Sequence, residues 1–275
     1  MTDALTEATT NAGNEGGSEG GNEGGADAPH EGPGGAGTDA AGGAIRLVCL
    51  PFGGSGTAFF HPWADLASDR FEVLPLRLPG RERLIDVAPY RDAHLATDGL
   101  LADLLAELPR PARVVLFGHS VGAVLAYELA HRLRAEPEIT VLRLVVSGSP
   151  EPGTQRTLRA TGLPDDAFLE RVREIAGYSH EAMAVPDLRE LLLPTLRADV
   201  EMHEDYLPST LEPLPVPITA LRGVDDRLVP VEQADAWRQV TSAGFELVEL
   251  PGGHMYLVDA GAELVDLIDA AVRPG

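Results

Sequence analysis

The segment Gly118-His119-Ser120-Val121-Gly122 has the G-x-S-x-G pattern that places a serine on a tight turn between a strand and a helix. A nucleophile on such a turn has strained backbone dihedrals, and the two glycines let the strand and the helix approach closely. The context fits, because an apolar run over residues 113–117 precedes the turn and a helical pattern over 121–133 follows it. We therefore predict that Ser120 is a nucleophile. The alternative is an ordinary serine in a glycine-containing βα turn.

A serine hydroxyl is a weak nucleophile until a base accepts its proton, and histidine is a frequent base. Among eight histidines, His254 follows two glycines in a loop after a predicted strand at residues 245–250. On this kind of turn the partners follow in the chain order serine, acid, histidine, and His254 fits that order. The other histidines precede the serine or lie in the tail, in the helix after the serine or in a helical insertion. We predict that His254 is the base.

The acid that orients the histidine is expected after the penultimate strand, where Asp225 and Asp226 follow a predicted strand at residues 218–221. Both aspartates remain candidates, and the pattern G-x-x-D-x-x-V favours Asp226. Its carboxylate would orient the imidazole and stabilise the imidazolium without accepting the proton. The alternative is that both residues only form a turn.

Backbone N–H groups are expected to stabilise the oxyanion of the reaction. One comes from the residue after the nucleophile, here Val121, and one from a loop that follows an early strand. The glycine-rich segment at residues 51–56 follows the predicted strand 45–50, and Phe52 or Gly53 is the candidate donor. This loop lacks the lysine and the spacing of a phosphate-binding loop.

The elements that must position these residues alternate between β-branched strands and helical patterns from Ala44 onward. Such alternation predicts an α/β fold with a mostly parallel sheet and helices on both faces. Together with the serine turn and the chain order of its partners, it predicts an α/β-hydrolase. The strands are predicted at residues 45–50, 71–76, 113–117, 141–146, 218–221 and 245–250, and the helices at 92–108, 121–133, 232–240 and 262–272.

One stretch, about residues 150–211, has helical patterns and no convincing strand. Asp165 or Asp166 is expected to cap its first helix, and a second helix is expected near residues 187–206. An insertion between two strands would lie over the carboxyl edge of the sheet. We therefore predict a helical lid or a wall of a substrate chamber.

Composition limits the remaining possibilities. Residues 1–44 carry eight acids, no lysine or arginine and few large apolar side chains, so we expect a disordered acidic tail before a domain at 45–275. Deleting the tail should leave stability and activity nearly unchanged.

The domain has 35 acids against 21 arginines, which argues against nucleic acid as a partner. No membrane span or secretory signal is recognisable, so we expect a cytoplasmic protein. The lone Cys49 lies in an apolar run and is expected in the core.

Several further segments form a recognisable set: Pro51-Phe52-Gly53-Gly54 with Phe60 and Trp63, Pro79-Gly80-Arg81-Glu82, the turn at Ser120 continued by Ala123, Leu193 to Asp199 with Tyr206, and Trp237 with Gly252-Gly253-His254-Met255-Tyr256-Leu257. Together they resemble the type II thioesterases of polyketide and nonribosomal peptide assembly lines, over about residues 45–271. Three changes from the family pattern, Gly53 for alanine, Val121 for methionine and Met255 for phenylalanine, leave the acyl preference open.

The resemblance implies a stand-alone editing hydrolase that releases acyl groups from the phosphopantetheine arm of acyl or peptidyl carrier proteins. It implies no metal and no cofactor, and we expect a monomer. Arg77, Arg81, Arg83 and Arg91 are candidates for a docking patch, or else solvated or core-bracing residues. Three other functions stay open, namely a carboxylesterase or peptidase, an acyltransferase, and an inactive binding protein on the same fold.

Overall fold

The computed structural model describes residues 44–67, 70–177 and 181–272. The predicted tail, apart from Ala44, lies outside the described residues. No helix in the described part of the chain is long and apolar enough to cross a membrane.

Six strands form one sheet in which every neighbouring pair is parallel, which confirms the predicted α/β class. The strand order is β2-β1-β3-β4-β5-β6. Parallel strands buried on both faces are expected to be continuous apolar runs, and β3 is nearly all buried. The strands are β1 (Ile45–Leu50), β2 (Glu72–Pro75), β3 (Ala112–His119), β4 (Ile139–Ser147), β5 (Ile218–Gly223) and β6 (Phe245–Leu250).

Helices cover both faces of the sheet, as predicted. One apolar cluster joins one face of the sheet to α2, α3 and Trp237, and a second joins the other face to α1 and α7. The helices are α1 (His61–Ala67), α2 (Ala93–Glu107), α3 (Val121–Leu133), α4 (Asp165–Ala176), α5 (Pro186–Glu204), α6 (Val231–Asp235) and α7 (Gly261–Val272), with 3-10 turns at Thr57–Phe60, Glu82–Leu84, Glu181–Ala184, Ala236–Val240 and Tyr256–Val258.

The strand order changes direction between β1 and β3. The chain leaves β1 toward β2 on one side, and it leaves β3 toward β4 on the other. A crevice opens at the carboxyl ends of strands at such a point, and ligands bind there. The loop after β1 and Ser120 after β3 both lie at this crevice, so the topology accounts for their proximity.

The insertion between β4 and β5 contains α4 and α5, which confirms its predicted helical character. The capping prediction was wrong, because α4 begins after Pro164 without a side-chain cap and Asp165 and Asp166 lie in its first turn. Acidic side chains there still interact favourably with the helix dipole. The helix predicted at residues 232–240 is α6 followed directly by the 3-10 turn Ala236–Val240, whereas α1 and the other 3-10 turns were not predicted. Cys49 is fully buried, as expected.

Candidate active site

Ser120 lies on a strained turn between β3 and α3, with φ 54° and ψ −119°. Its N–H donates to the carbonyl oxygen of Ser147 at 2.8 Å, which holds the turn against β4. Glycine is required on both sides. A Cβ atom at Gly118 would lie 2.0 Å from the carbonyl oxygen of Gly122, and one at Gly122 would lie 2.8 Å from that of Leu50. Such backbone strain at a partly buried serine that lines a cavity is typical of a nucleophile turn.

His254 and Asp226 form a buried hydrogen-bonded pair, with 2.9 Å between Nδ1 of the imidazole and Oδ2 of the carboxylate. Oδ1 of Asp226 accepts the N–H groups of Leu228 and Val229 at 2.8 and 3.1 Å. Burial alone raises the pKa of Asp226, but His254 and these two N–H groups outweigh it and lower the pKa. The carboxylate is therefore held ionised and oriented toward the histidine.

The two candidate acids differ in their surroundings. Asp226 is 3% exposed and contacts His254, whereas Asp225 is exposed to solvent and only its backbone N–H is engaged, with the carbonyl oxygen of Gly252. Of the two aspartates, only Asp226 is in contact with the histidine in the described structure.

Ser120 and His254 line one cavity of about 100 Å³, which we call the Ser120 cavity. Side chains of α4 and α5 form its opposite wall, as expected for a lid insertion. Three of them are the apolar residues Val172, Ile175 and Leu196. The same helices also place Asp199, His203 and Glu204 at this wall, so the cavity combines an apolar surface that suits an acyl chain with a few polar side chains.

The loop after β1 offers one uncommitted N–H group to the Ser120 cavity. The Phe52 N–H donates to Ser55 Oγ at 2.8 Å, and the Gly54 N–H donates to Asp199 Oδ2 at 2.8 Å. The Gly53 N–H has no acceptor among the described residues, and Gly53 lines the cavity. Of the two candidate donors, Phe52 is therefore occupied and Gly53 is available. Val121 begins α3, where N–H groups lack partners within the helix.

A buried ion pair holds this loop against the lid. Arg81 donates to both carboxylate oxygens of Asp199, at 2.7 and 3.0 Å, and to the carbonyl oxygen of Ser55 at 2.7 Å. Asp199 lies on α5 and also accepts the Gly54 N–H. The carboxylate of Asp199 therefore connects α5 both to the loop after β1 and to Arg81.

A hydrogen-bonded chain lies beneath the imidazole of His254. Nδ1 of His119 lies 2.8 Å from Ser147 Oγ, which lies 2.6 Å from the hydroxyl of Tyr256. The rings of His119 and His254 are 4.8 Å apart. Burial lowers the pKa of His119 well below its ordinary value, and the charges of His254 and Arg156 lower it further. His119 is therefore neutral and supports the His254 ring by packing.

The four arginines proposed as a docking patch have different surroundings. Arg81 is 5% exposed and braces the core, so of the two alternatives the core-bracing one applies and Arg81 is not part of a docking surface. Arg77 pairs with Glu82, Arg91 pairs with Glu201, and Arg83 is exposed.

Sequence reasoning missed Arg156 and His203, which line the Ser120 cavity. Arg156 lies in an irregular segment between β4 and α4, where no periodicity marks a buried position. The pairing of Arg81 with Asp199 was also missed, although both residues lie in segments that match the family pattern. No cluster of three histidine, cysteine or acidic side chains suited to a metal occurs in the described ranges.

A parallel sheet with a strained serine turn, a histidine after the last strand and an aspartate after the one before it defines an α/β-hydrolase. The family model "Thioesterase domain" matches residues 45–272. The chain therefore belongs to this thioesterase family, and it is a hydrolase that acts on thioesters.

Individual relatives agree with this assignment. The chain is 30% identical to the gramicidin S biosynthesis protein GrsT of Aneurinibacillus migulanus over 235 residues, 83% of this chain and 89% of the relative. The type II thioesterase BorB from the borrelidin biosynthetic cluster is 33% identical with a TM-score of 0.71, over 84% of this chain and 92% of that one. RedJ, a thioesterase of the prodiginine pathway in Streptomyces coelicolor, is 30% identical with a TM-score of 0.75, over 88% and 91%. The resemblance to type II thioesterases is thus confirmed.

Proposed function

We propose that the chain is a stand-alone editing thioesterase that hydrolyses acyl groups from the phosphopantetheine arm of acyl or peptidyl carrier proteins. Ser120 is the nucleophile, His254 the base and Asp226 the residue that orients the histidine. The backbone N–H groups of Val121 and Gly53 stabilise the oxyanion.

The reaction proceeds in two steps with one acyl-enzyme intermediate. His254 accepts the Ser120 proton as the oxygen attacks the thioester carbonyl, and the carbon–sulfur bond then breaks as His254 returns the proton to the leaving thiol. In the second step His254 takes a proton from water as the water oxygen attacks the acyl-serine carbonyl. The bond between the acyl carbon and Ser120 Oγ then breaks, His254 returns the proton to Oγ, and the free acid leaves. Asp226 favours the tautomer of His254 whose Nε2 accepts a proton in each step.

The observation that carries this proposal is the buried contact between His254 and Asp226 at 2.9 Å, beside a cavity that Ser120 and Gly53 also line. An oriented base, a strained serine and an uncommitted N–H group around one cavity are the parts that acyl transfer needs. The biosynthetic thioesterases among the relatives support carrier-bound acyl groups as the substrate class.

The test compares one acyl group on three leaving groups. Propionyl-carrier protein, propionyl-coenzyme A and a propionyl oxygen ester are hydrolysed side by side by the wild type and by the Ser120→Ala variant. We expect the highest kcat/KM on the carrier protein and a loss of about 10³-fold or more in the variant.

The other outcomes separate the competing functions. Equal efficiency on the carrier and on coenzyme A would reduce the activity to a general thioesterase, and a preference for the oxygen ester would indicate a carboxylesterase. Transfer of the acyl group to an added alcohol or amine instead of water would indicate an acyltransferase. Labelling of Ser120 by a fluorophosphonate checks the nucleophile independently, and the absence of labelling together with the absence of turnover would indicate a binding protein.

A further inference from the structure

Two polar side chains that the proposed reaction does not use line the Ser120 cavity. Nη2 of Arg156 lies 2.6 Å from Nε2 of His203. Both residues also line a second, smaller cavity next to Ser149 and Tyr206. The Arg156–His203 pair therefore separates the two cavities and closes the Ser120 cavity on that side.

His203 is a neutral partner for Arg156. A guanidinium only donates hydrogen bonds, so Nε2 of His203 accepts and the ring proton is on Nδ1. Burial lowers the pKa of His203 well below its ordinary value, and the charge of Arg156 lowers it further. Burial also lowers the pKa of Arg156, to about 10, although the charges of Asp226 and Glu204 oppose this effect, so Arg156 is still a cation at neutral pH. The positive charge thus faces the cavity beside an uncharged imidazole.

The carboxylates around the Ser120 cavity have other partners. Asp199 and Glu204 line the cavity and Asp226 lies behind His254, but none of them is within ion-pair distance of Arg156 in the described structure. Their partners are Arg81 for Asp199, His254 for Asp226, and Arg159 with the N–H groups of Ala160 and Thr161 for Glu204.

Arg156 consequently has hydrogen-bond donors to spare. Its one hydrogen bond within the described residues is to His203. No nitrogen of Arg156 is fully buried without a partner, in contrast to Nε of Arg143. Because Arg156 lines the Ser120 cavity, its unused N–H groups can donate to a group that binds there.

We propose that Arg156, positioned by His203, binds a carboxylate at the far end of the acyl group, so that short half-thioesters of dicarboxylic acids are preferred substrates. This inference rests on the proposed function and names its acyl class. The planar guanidinium matches a carboxylate in two parallel hydrogen bonds. An alkyl chain ending there would remove water from the guanidinium without offering an acceptor, which is unfavourable.

The test uses pairs of acyl groups that differ only at the far end. Malonyl is compared with acetoacetyl, and succinyl with 4-oxopentanoyl, all on the same carrier protein, because each ketone replaces one carboxylate oxygen by a methyl group. We expect the wild type to favour each acid over its ketone by about tenfold or more in kcat/KM. Arg156→Leu should lower kcat/KM for the acids by about tenfold more than for the ketones, which removes the preference, whereas Arg156→Lys should keep part of it.

The matched control is Arg173→Leu on the lid helix α4, whose exposed side chain pairs with Glu170 and does not line the Ser120 cavity. It should leave the acid-to-ketone ratio unchanged. His203→Leu should raise KM for the acids more than it lowers kcat, because it removes the positioning contact and not the nucleophile. Fluorophosphonate labelling and melting temperature check that Ser120 and the fold are intact in each variant.

The remaining outcomes decide against the inference. Equal wild-type efficiency on acids and ketones overturns it, even if every variant fails to fold. A uniform loss on all four substrates in a folded Arg156→Leu variant overturns it as well, because Arg156 would then act on His254 or on the fold. If the wild type hydrolyses none of the four, nor propionyl-carrier protein, the proposed function itself has failed.

Discussion

Arg81 and Asp199 form an ion pair with 2.7 Å between Nη2 and Oδ1, and both side chains are almost completely buried. They belong to elements that are 118 residues apart in the chain. The same carboxylate accepts the Gly54 N–H, one residue from the N–H group that we assign to the oxyanion. A charge pair in the core thus determines where the loop after β1 lies relative to Ser120.

Asp199→Asn should lower both stability and turnover. The substitution leaves the Arg81 guanidinium buried without a charged partner, which typically costs about 3 kcal/mol or more. The Gly54 N–H loses a charged acceptor, so the neighbouring Gly53 N–H is less well positioned and kcat should fall more than KM rises. Urea unfolding and steady-state kinetics on the same preparation measure the two effects.

The matched control for Asp199→Asn is Asp165→Asn. Asp165 lies on α4 and forms an exposed ion pair with Arg197, which is on α5 like Asp199. That change should cost less than about 1 kcal/mol and leave kcat unaltered. If Asp199→Asn changed the free energy of unfolding and kcat as little as Asp165→Asn does, the Arg81–Asp199 pair would not hold the loop after β1 in place.

Asp226→Asn should lower kcat by about 10³-fold or more, while Asp225→Asn should stay close to the wild type. Only Asp226 contacts Nδ1 of His254, and an amide there no longer enforces the tautomer that accepts a proton at Nε2. Both variants are compared by kcat/KM over pH on one acyl-carrier protein. The opposite ranking would move the orienting acid to Asp225.

Much of the fold and the candidate site was predictable because the informative residues lie at strand ends. Ser120, Asp226 and His254 each follow a strand that the sequence marks by its apolar run, and parallel strands bring such positions to one edge. The turn residues add a steric signal, since Gly118 has no room for a Cβ atom.

The surroundings of the Ser120 cavity were not predictable in the same way. Arg156 and His203 come together from an irregular segment and a lid helix, and no local pattern records a contact between residues 47 positions apart. The burial of Arg81 was equally hidden, because a cluster of arginines is more often a solvated surface. Tertiary packing, which a single sequence does not encode locally, determines these contacts.

Gly53→Ala should be tolerated and Gly53→Pro should not. A Cβ atom at Gly53 meets nothing within 4 Å, and the N–H group is kept, so kcat should remain within about threefold of the wild type. Proline removes that N–H, and loss of one oxyanion donor typically costs about 10²- to 10³-fold in kcat. Kinetics on propionyl-carrier protein, with melting temperatures to detect backbone strain, measure the difference. Unchanged kcat in a folded proline variant would exclude Gly53 as a donor.

Glu82→Gln should lower the free energy of unfolding at neutral pH, and this destabilisation should disappear in acid. Burial alone raises the pKa of Glu82, but Arg77, the Ala58 N–H and the Thr57 hydroxyl outweigh it and lower the pKa to about 2. Because the folded value lies below the ordinary 4.5, the ionised group stabilises the fold above about pH 4.5. That contribution disappears as the pH falls toward about 2. After allowance for solvent screening, we expect about 1 to 2 kcal/mol.

The measurement of the Glu82 effect is the difference in free energy of unfolding between the wild type and Glu82→Gln, from urea titrations between pH 3 and 7. The difference should be constant from about pH 5 to 7 and should shrink below that range. Below about pH 5, Glu82 of the unfolded wild type begins to bind a proton, which favours unfolding, whereas glutamine has no such proton to bind. Glutamine keeps the length of the side chain and the positive φ of 51° at this position, so backbone strain is unchanged. The control is Glu174→Gln, which removes an exposed pair with Arg171 and should have little effect at any pH. If the difference in free energy of unfolding between the wild type and Glu82→Gln stayed constant down to pH 3, the contacts of Glu82 would not stabilise the protein through the charge of its carboxylate.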